Sequence, residues 1–167
     1  MINHPSIPWD SAGELEVVTF DIQGETFAIE ALIVREILDI LPETAVPGAD
    51  PLVGHVVNFR GRIIPIADLA LGFGMDAQEN GRDSRIVVVE IPLGDSPVLI
   101  GLRTERVHEV ARLKAATSAP PPEIGMRWPR DHVRSLVRHD DQLIVLPDLS
   151  AIFSPLVQIA GASASFH

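Results

Sequence analysis

Residues 58–69 read NFRGRIIPIADL, two short β-prone runs separated by a glycine and followed by an aspartate. β-Branched and aromatic residues on both sides of a tight turn predict a β-hairpin, and Gly61 supplies the conformational freedom that such a turn needs. Asp68 then stands where a side-chain oxygen would cap a short helix. The stretch also displays Arg60 and Arg62 at the hairpin tip, although the formal net charge of the chain is −10.

The same pattern of two short β runs around a turn occurs four times along the chain, which predicts a mainly β protein. The predicted strand pairs are 16–22 with 26–29 about Gly24-Glu25, 55–60 with 63–67 about Gly61, 84–91 with 98–102 about Gly94-Asp95, and 133–138 with 143–147 about Asp140-Asp141. Helical candidates are few and short, near 30–34, 50–54, 68–72 and 148–153. The last two follow aspartates that are suited to be N-caps, Asp68 and Asp148.

The hairpins repeat in order, with VREI (34–37) matched by VHEV (107–110). The offsets between matching positions grow steadily through 69, 73, 77 and 80, in the pairs Val17/Ile86, Val34/Val107, His55/His132 and Asp68/Asp148. This order predicts an internal duplication, with one β-barrel module at 14–80, a second at 81–155, and flexible termini at 1–13 and 156–167. Units this small bury little surface alone, so we expect them to pack together, and an exchange of strands between them stays open.

The composition excludes several classes of function. The chain has 167 residues, no cysteine and a net charge of −10, which argues against a disulfide framework, a thiolate metal site and general nucleic-acid binding. It contains no apolar run long enough for a membrane span and no secretory signal pattern, so we expect a cytoplasmic protein without direct membrane insertion. The segment 101–138 is locally basic, with eight Arg or Lys against four Asp or Glu. That segment fits either a protein contact or an ordinary solvated surface.

No pattern in the sequence indicates catalysis. The six histidines are scattered, and the densest polar cluster, His139-Asp140-Asp141, lies in a predicted hairpin turn where aspartate is favoured by the backbone. No glycine-rich phosphate loop joins a strand to a helix, and no nucleophile elbow is present. We therefore expect no catalytic residue, no cofactor and no metal site.

Four stretches together resemble the CheW-like domain family, the coupling proteins of bacterial chemosensory arrays. The resemblance covers residues 14 to 155 in the family's order, and it is carried by TFAIEALIVREIL (26–38), AVPGADPLVGHVVN (45–58), NFRGRIIPIADL (58–69) and IGLRTERVHEV (100–110). It implies two intertwined five-stranded β-barrels with a few short helices. It also implies a non-catalytic adaptor that joins a CheA-type histidine kinase, through the kinase's own CheW-like domain, to methyl-accepting chemoreceptors.

The resemblance further implies where partners bind. The kinase contact uses a barrel end, without assigned residues, and receptor contact uses a groove between the barrels. Receptor-binding positions of the family fall on Val34, Glu36 and Arg60, with Asn58 and Arg62 beside them. Alternation along a strand leaves Arg60 displayed beside the turn, where it would pair with a partner's carboxylate or hold its own loop. Glu36 is either a receptor contact or the internal partner of Arg60, and Val34 either fills the core or lines the groove.

Two departures from the family pattern affect the second module: Arg103-Thr104-Glu105 replaces apolar residues and an aspartate, and Ser135 replaces a common glycine. Both lie in the basic segment, so we expect an altered partner surface there and an unchanged fold. An accessory scaffold for pilus motility or surface sensing is the alternative within the binding class. A ligand-binding double barrel or an enzyme with a site between the modules is the alternative from another class.

Overall fold

The computed structural model describes residues 7–125 and 128–164, and for 157–164 it describes the backbone alone. In these ranges the chain forms twelve strands and two α-helices. They are β1 (Glu14–Ile22), β2 (Glu25–Glu30), β3 (Val34–Asp39), β4 (Thr44–Ala45), β5 (His55–Phe59), β6 (Arg62–Ala67), α1 (Leu69–Gly72), β7 (Arg85–Leu93), β8 (Ser96–Thr104), β9 (Arg106–Lys114), β10 (Ser118–Ala119), β11 (Val133–His139), β12 (Gln142–Pro147) and α2 (Leu149–Ala164). Neither described helix combines the length and apolar character needed to cross a bilayer.

Two curled sheets of six strands share the chain, and each contains five longer strands and one strand of two residues. The first sheet has the order β10-β11-β12-β2-β1-β9, and the second has the order β3-β7-β8-β6-β5-β4. Neighbours are antiparallel except for two parallel pairs, β12 with β2 and β6 with β8. Each sheet therefore takes strands from both halves of the sequence, so the two barrels are intertwined. The predicted mainly β fold class is confirmed.

Apolar side chains form three adjoining cores. One fills the concave face of the first sheet around Val17 and Leu113, and another fills that of the second sheet around Val57 and Ile86. The third and largest lies between the sheets and contains Phe27, together with side chains from both sheets and both helices. Burial of this kind stabilises by about 25 cal/mol per Å² of apolar surface, so the shared core joins the two barrels into one folding unit.

The four predicted hairpins are present, and the turns explain their tight geometry. Three turns have two central residues with positive φ, the signature of type I′ turns that match the twist of paired strands. They are Gln23-Gly24, Arg60-Gly61 and Asp140-Asp141. The first turn lies one residue earlier than predicted, because Ile22 pairs with Glu25. The remaining predicted turn, Gly94-Asp95, joins β7 to β8.

Both predicted N-caps are found at the equivalent ends of the two repeats. The Asp68 carboxylate accepts a hydrogen bond from the backbone N–H of Ala70 at 3.2 Å, and that of Asp148 accepts one from the N–H of Ala151 at 2.9 Å. The helix expected at 148–153 is longer and runs to Ala164. The candidates near 30–34 and 50–54 are single 3₁₀ turns, Ala31–Ile33 and Pro51–Val53.

The flexible termini stay a prediction, because residues 1–6 and 165–167 lie outside the described residues. Within the described part, Ile7 and Trp9 pack against the core of the first sheet. The division of the chain into two duplicated modules, 14–80 and 81–155, also stays a prediction.

Candidate protein-interaction site

The hairpin of β5 and β6 presents the arginines of the opening motif. Arg60 and Gly61 form its two-residue turn, with φ values of 51° and 79°. The Asn58 side-chain oxygen accepts a hydrogen bond from the Gly61 N–H at 2.9 Å and so holds the turn closed. The Arg60 side chain is 72% exposed. Its guanidinium carbon lies 5.5 Å from the centre of the Phe59 ring, where a cation–π attraction orients it.

Glu36 is the internal partner of Arg60. The Nε and Nη2 atoms of Arg60 donate to the same Glu36 oxygen, at 2.9 and 2.7 Å. Glu36 belongs to β3, at the edge of the second sheet, so the pair connects the hairpin tip to a strand that is not its neighbour in the sheet. Exposed pairs of this kind contribute less than about 1 kcal/mol. The contact therefore orients both groups without withdrawing the arginine from solvent.

A β-bulge in β3 sets the direction of Glu36. Val34 pairs with Val89 and Glu36 pairs with Val88, so Arg35 is the extra residue. The Arg35 side chain forms an ion pair with Glu90 on β7. Bulges interrupt the alternation of a strand and turn side chains to new directions. This bulge places Val34 against the core between the sheets and Glu36 beside the arginine turn.

An open groove of about 360 Å³ contains three of the five predicted receptor-binding residues. Glu36, Arg60 and Arg62 line it. Asn58 supports the turn from outside the groove lining, and Val34 is half-buried at the core between the sheets. The structure thus groups the charged candidates on one surface, which we call the arginine groove, and separates Val34 from them.

A second groove lies between the two sheets and includes residues that the sequence analysis missed. It has a volume of about 240 Å³, and Ile33, Ile91 and Leu149 supply apolar walls. Ile33 directly precedes Val34, so this inter-sheet groove begins where β3 begins. Its apolar positions look like ordinary core residues in the sequence. Only the exchange of strands, which local patterns do not encode, brings them together along this groove, where Ile33 is half-buried and Ile91 and Leu149 are buried.

Two arginines of the basic segment are internal rather than exposed. Arg134 forms an ion pair with Glu30 in the inter-sheet groove, and their side chains are 9% and 14% exposed. Arg103 forms an ion pair with Glu43 and lies 3.5 Å from Asp68. The Arg103 side chain is therefore committed to carboxylates inside the fold, and the altered partner surface expected of the 101–138 segment stays a prediction.

The densest polar cluster of the sequence lies in a hairpin turn. His139-Asp140-Asp141 ends β11 and forms the turn to β12, as expected from the backbone preference of aspartate. No group of three or more His, Cys, Asp or Glu in the described ranges could hold a metal ion. Among the described residues, apolar side chains fill the interiors of both sheets, and the grooves named above are open to solvent. The fold and site define a double-barrel β protein that presents grooves on its surface.

Comparisons with known proteins agree with this class. The model of the CheW-like domain matches residues 16–156. The chain is 30% identical over 142 residues to a probable chemotaxis protein CheW of Rhizobium etli, covering 85% of this chain and 89% of that protein. It is 32% identical over 114 residues to the chemotaxis protein CheW of Helicobacter pylori, covering 68% and 67%.

A solved structure has the same fold. The scaffolding protein TtCheW from Thermoanaerobacter tengcongensis superposes with a TM-score of 0.74 and 29% sequence identity, covering 83% of this chain and 92% of that one. The chain belongs to the CheW-like domain family. This is a family of scaffold and adaptor proteins.

Proposed function

We propose that this chain is a non-catalytic chemotaxis adaptor that couples chemoreceptors to a CheA-type histidine kinase. The match of the CheW-like domain model to residues 16–156 carries the proposal. The names of the relatives, chemotaxis proteins and a scaffolding protein, support it. The adaptor acts in the cytoplasm at receptor arrays on the inner face of the membrane, without inserting into the bilayer.

The receptor-binding surface in this proposal combines the arginine groove with the start of the inter-sheet groove. Glu36, Arg60 and Arg62 supply directional polar contacts, and Asn58 holds the turn that displays them. Val34 and the neighbouring apolar wall supply the hydrophobic contact. An arginine fork matches carboxylates on a partner helix, and apolar grooves accept the apolar face of such a helix. The residues that bind the kinase stay unassigned.

The mechanism of such an adaptor is positional. One copy contacts a receptor and a kinase at once, so it holds the kinase at a fixed place relative to the receptor. Individual contacts of this size are modest, and many copies in one array raise the effective concentration of each partner. The receptor acts on the kinase because the adaptor fixes their relative positions. The adaptor itself makes and breaks no covalent bond.

Two alternatives remain as candidates. An accessory scaffold for pilus motility or surface sensing would use the same fold with other receptors. It would differ from the chemotaxis adaptor only in the proteins that it binds. A ligand-binding double barrel needs an enclosed cavity with converging polar groups. The filled interiors of both sheets favour the adaptor over the ligand-binding alternative.

The test is a pull-down from the native organism with tagged protein. Three baits are compared: the wild type, Arg60→Glu, and the control Arg112→Glu. Arg112 is also exposed, at 59%, and also faces carboxylates, but it lies on β9 in the first sheet. We expect a kinase and chemoreceptors with the wild type and the control, and receptor recovery at least about tenfold lower with Arg60→Glu.

Each outcome has a clear meaning. Full receptor recovery with folded Arg60→Glu would remove Arg60 from the receptor surface. Recovery of neither partner by folded wild-type protein would mean that the family resemblance gives the fold without the adaptor role. Recovery of proteins from a pilus or surface-sensing system would favour the alternative that this chain is an accessory scaffold.

A further inference from the structure

Residues 7–10 form a short segment that doubles back at the start of β1, and we call it the N-terminal strap. A turn sets this reversal, because the Asp10 carboxylate accepts hydrogen bonds from the backbone N–H groups of Ala12 and Glu14 at 2.8 and 2.9 Å. The Asp10 N–H donates in turn to the Glu14 carbonyl at 2.8 Å. Bonding of an aspartate oxygen to the backbone two residues on is the Asx-turn geometry that this residue favours.

Two side chains hold the strap on the molecule. Ile7 and Trp9 are half-buried and pack against the core of the first sheet, whereas Pro8 between them is exposed. Within the described ranges, the strap backbone bonds only to itself and to the turn, and the Trp9 N–H donates to the Ile7 carbonyl at 2.8 Å. The strap is therefore not a strand of either sheet. A segment held by two side chains and one turn opens at a much lower free energy than the sheets.

Pro8 lies at the boundary between two grooves. It lines the inter-sheet groove together with Ser150. It also lines a third open groove, of about 340 Å³, which contains Leu32 and Arg112. Glu30 is the other residue that the two linings share. The strap therefore forms one side of the partition between the inter-sheet groove and the third groove.

This partition separates two apolar residues that are adjacent in the chain. Leu32 is 84% exposed and lines the third groove, and Ile33 lines the inter-sheet groove. Both belong to the 3₁₀ turn Ala31–Ile33, directly before β3. With the strap displaced, Leu32 and Ile33 would lie along one continuous trough. The apolar face of a helix makes contacts spread over several turns, so this trough would accept more of such a face than the inter-sheet groove alone.

We propose that the N-terminal strap closes one end of the inter-sheet groove and that a chemoreceptor helix displaces it on binding. The inference rests on the proposed function, in which this groove is part of the receptor surface, and adds a regulatory element to it. A site that is open for only a fraction of the time binds with an affinity reduced by that fraction. The strap thus lowers receptor affinity without any contact to the arginine groove.

Two substitutions release the strap in different ways. Asp10→Ala removes both side-chain hydrogen bonds of the turn, and Trp9→Ala removes the larger of the two side-chain anchors. Ser11→Ala is the matched control, because Ser11 is exposed in the same turn and its side chain forms none of these bonds. Circular dichroism and urea unfolding check that each variant keeps the fold.

The first measurement needs no receptor. The chain has no cysteine, so Ser150→Cys places a single thiol in the lining of the inter-sheet groove. Ser154→Cys places one at a similarly half-buried position of the same helix, outside that lining. We expect Asp10→Ala and Trp9→Ala each to raise the rate of maleimide labelling at position 150 at least about fivefold, with the rate at position 154 unchanged. Equal labelling of position 150 with and without release would overturn the strap, whether or not receptors bind.

The second measurement is binding to receptor-containing vesicles from the same organism. We expect Asp10→Ala and Trp9→Ala each to bind at least about threefold more tightly than the wild type, and Ser11→Ala to bind like the wild type. Faster labelling with unchanged vesicle affinity would overturn the control of receptor binding by the strap. Vesicle binding by none of the proteins, the wild type included, would contradict the proposed function, and the labelling rates would still decide whether the strap covers the groove.

Discussion

At the scale of single residues, Arg60 answers the question raised by an arginine pair in an acidic chain. The Arg60 guanidinium forms an ion pair with Glu36 and a cation–π contact with the Phe59 ring. Most of the Arg60 side chain is nevertheless exposed to solvent. An oriented, exposed guanidinium loses little further side-chain freedom when a partner carboxylate arrives. The ion pair thus orients an exposed arginine and contributes little to stability.

The first prediction concerns the free energy that this pair contributes. Replacing Arg60 by Ala, or Glu36 by Gln, should lower the free energy of unfolding by less than about 1 kcal/mol, because exposed ion pairs are screened by solvent. Urea unfolding of the two single variants and the double variant measures the coupling between the side chains. A loss of several kcal/mol would show that the pair is a structural requirement of the second sheet.

Gly101 gives a prediction about close packing. A Cβ atom at this position would lie 2.5 Å from Ile66 Cδ1 and 2.8 Å from Ile86 Cγ2, inside the second sheet. Gly101→Ala should therefore cost about 1–3 kcal/mol, as overpacking of a core does. Gly81→Ala is the matched control, because its Cβ would meet nothing closer than 3.9 Å. Equal stability of the two variants in urea would contradict the packing at the β6–β8 junction.

At the scale of elements, the sequence predicted what local patterns encode. The hairpins, three of their turns and both aspartate caps follow from β-branched runs and backbone preferences, and the first turn was predicted one residue too late. β9 was missed because its exposed polar residues hide its single buried position, Leu113. The sheet order could not be predicted, because the parallel pairing of β12 with β2 depends on residues more than 100 positions apart. The same exchange hid which residues line the inter-sheet groove, whereas the charged residues of the arginine groove belong to the motifs that carry the resemblance.

The ion pair of Arg134 with Glu30 connects β11 to β2 across this exchanged sheet. Arg134→Met leaves the Glu30 carboxylate, only 14% exposed, without its ion-pair partner, so this variant should cost about 3–5 kcal/mol. The double variant Arg134→Met with Glu30→Leu should be closer to the wild type, since no unpaired charge remains. Thermal and urea unfolding of the three proteins check this order. A double variant less stable than the single variant would indicate that the ion pair itself stabilises the sheet.

At the scale of the whole molecule, the strand exchange and the shared core make the two barrels one unit. The hairpin of β1 and β2 has its sheet partners, β9 and β12, in the other half of the sequence. A separate fragment 14–80 should therefore stay unfolded, because it lacks the strands that cover this hairpin. The full chain should unfold in one cooperative transition. A fragment 14–80 with dispersed amide resonances and a cooperative melt would contradict this interdependence.

The adaptor role is also a property of the whole molecule, because coupling requires two partners on one rigid body. The most direct measurement is kinase activity in a reconstituted mixture of receptor-containing vesicles, the CheA-type kinase and this chain, all from the same organism. We predict that wild-type protein raises receptor-dependent autophosphorylation and that Arg60→Glu lowers this stimulation at least about tenfold, while Arg112→Glu preserves it. No stimulation by folded wild-type protein, with both partners active, would contradict the coupling function.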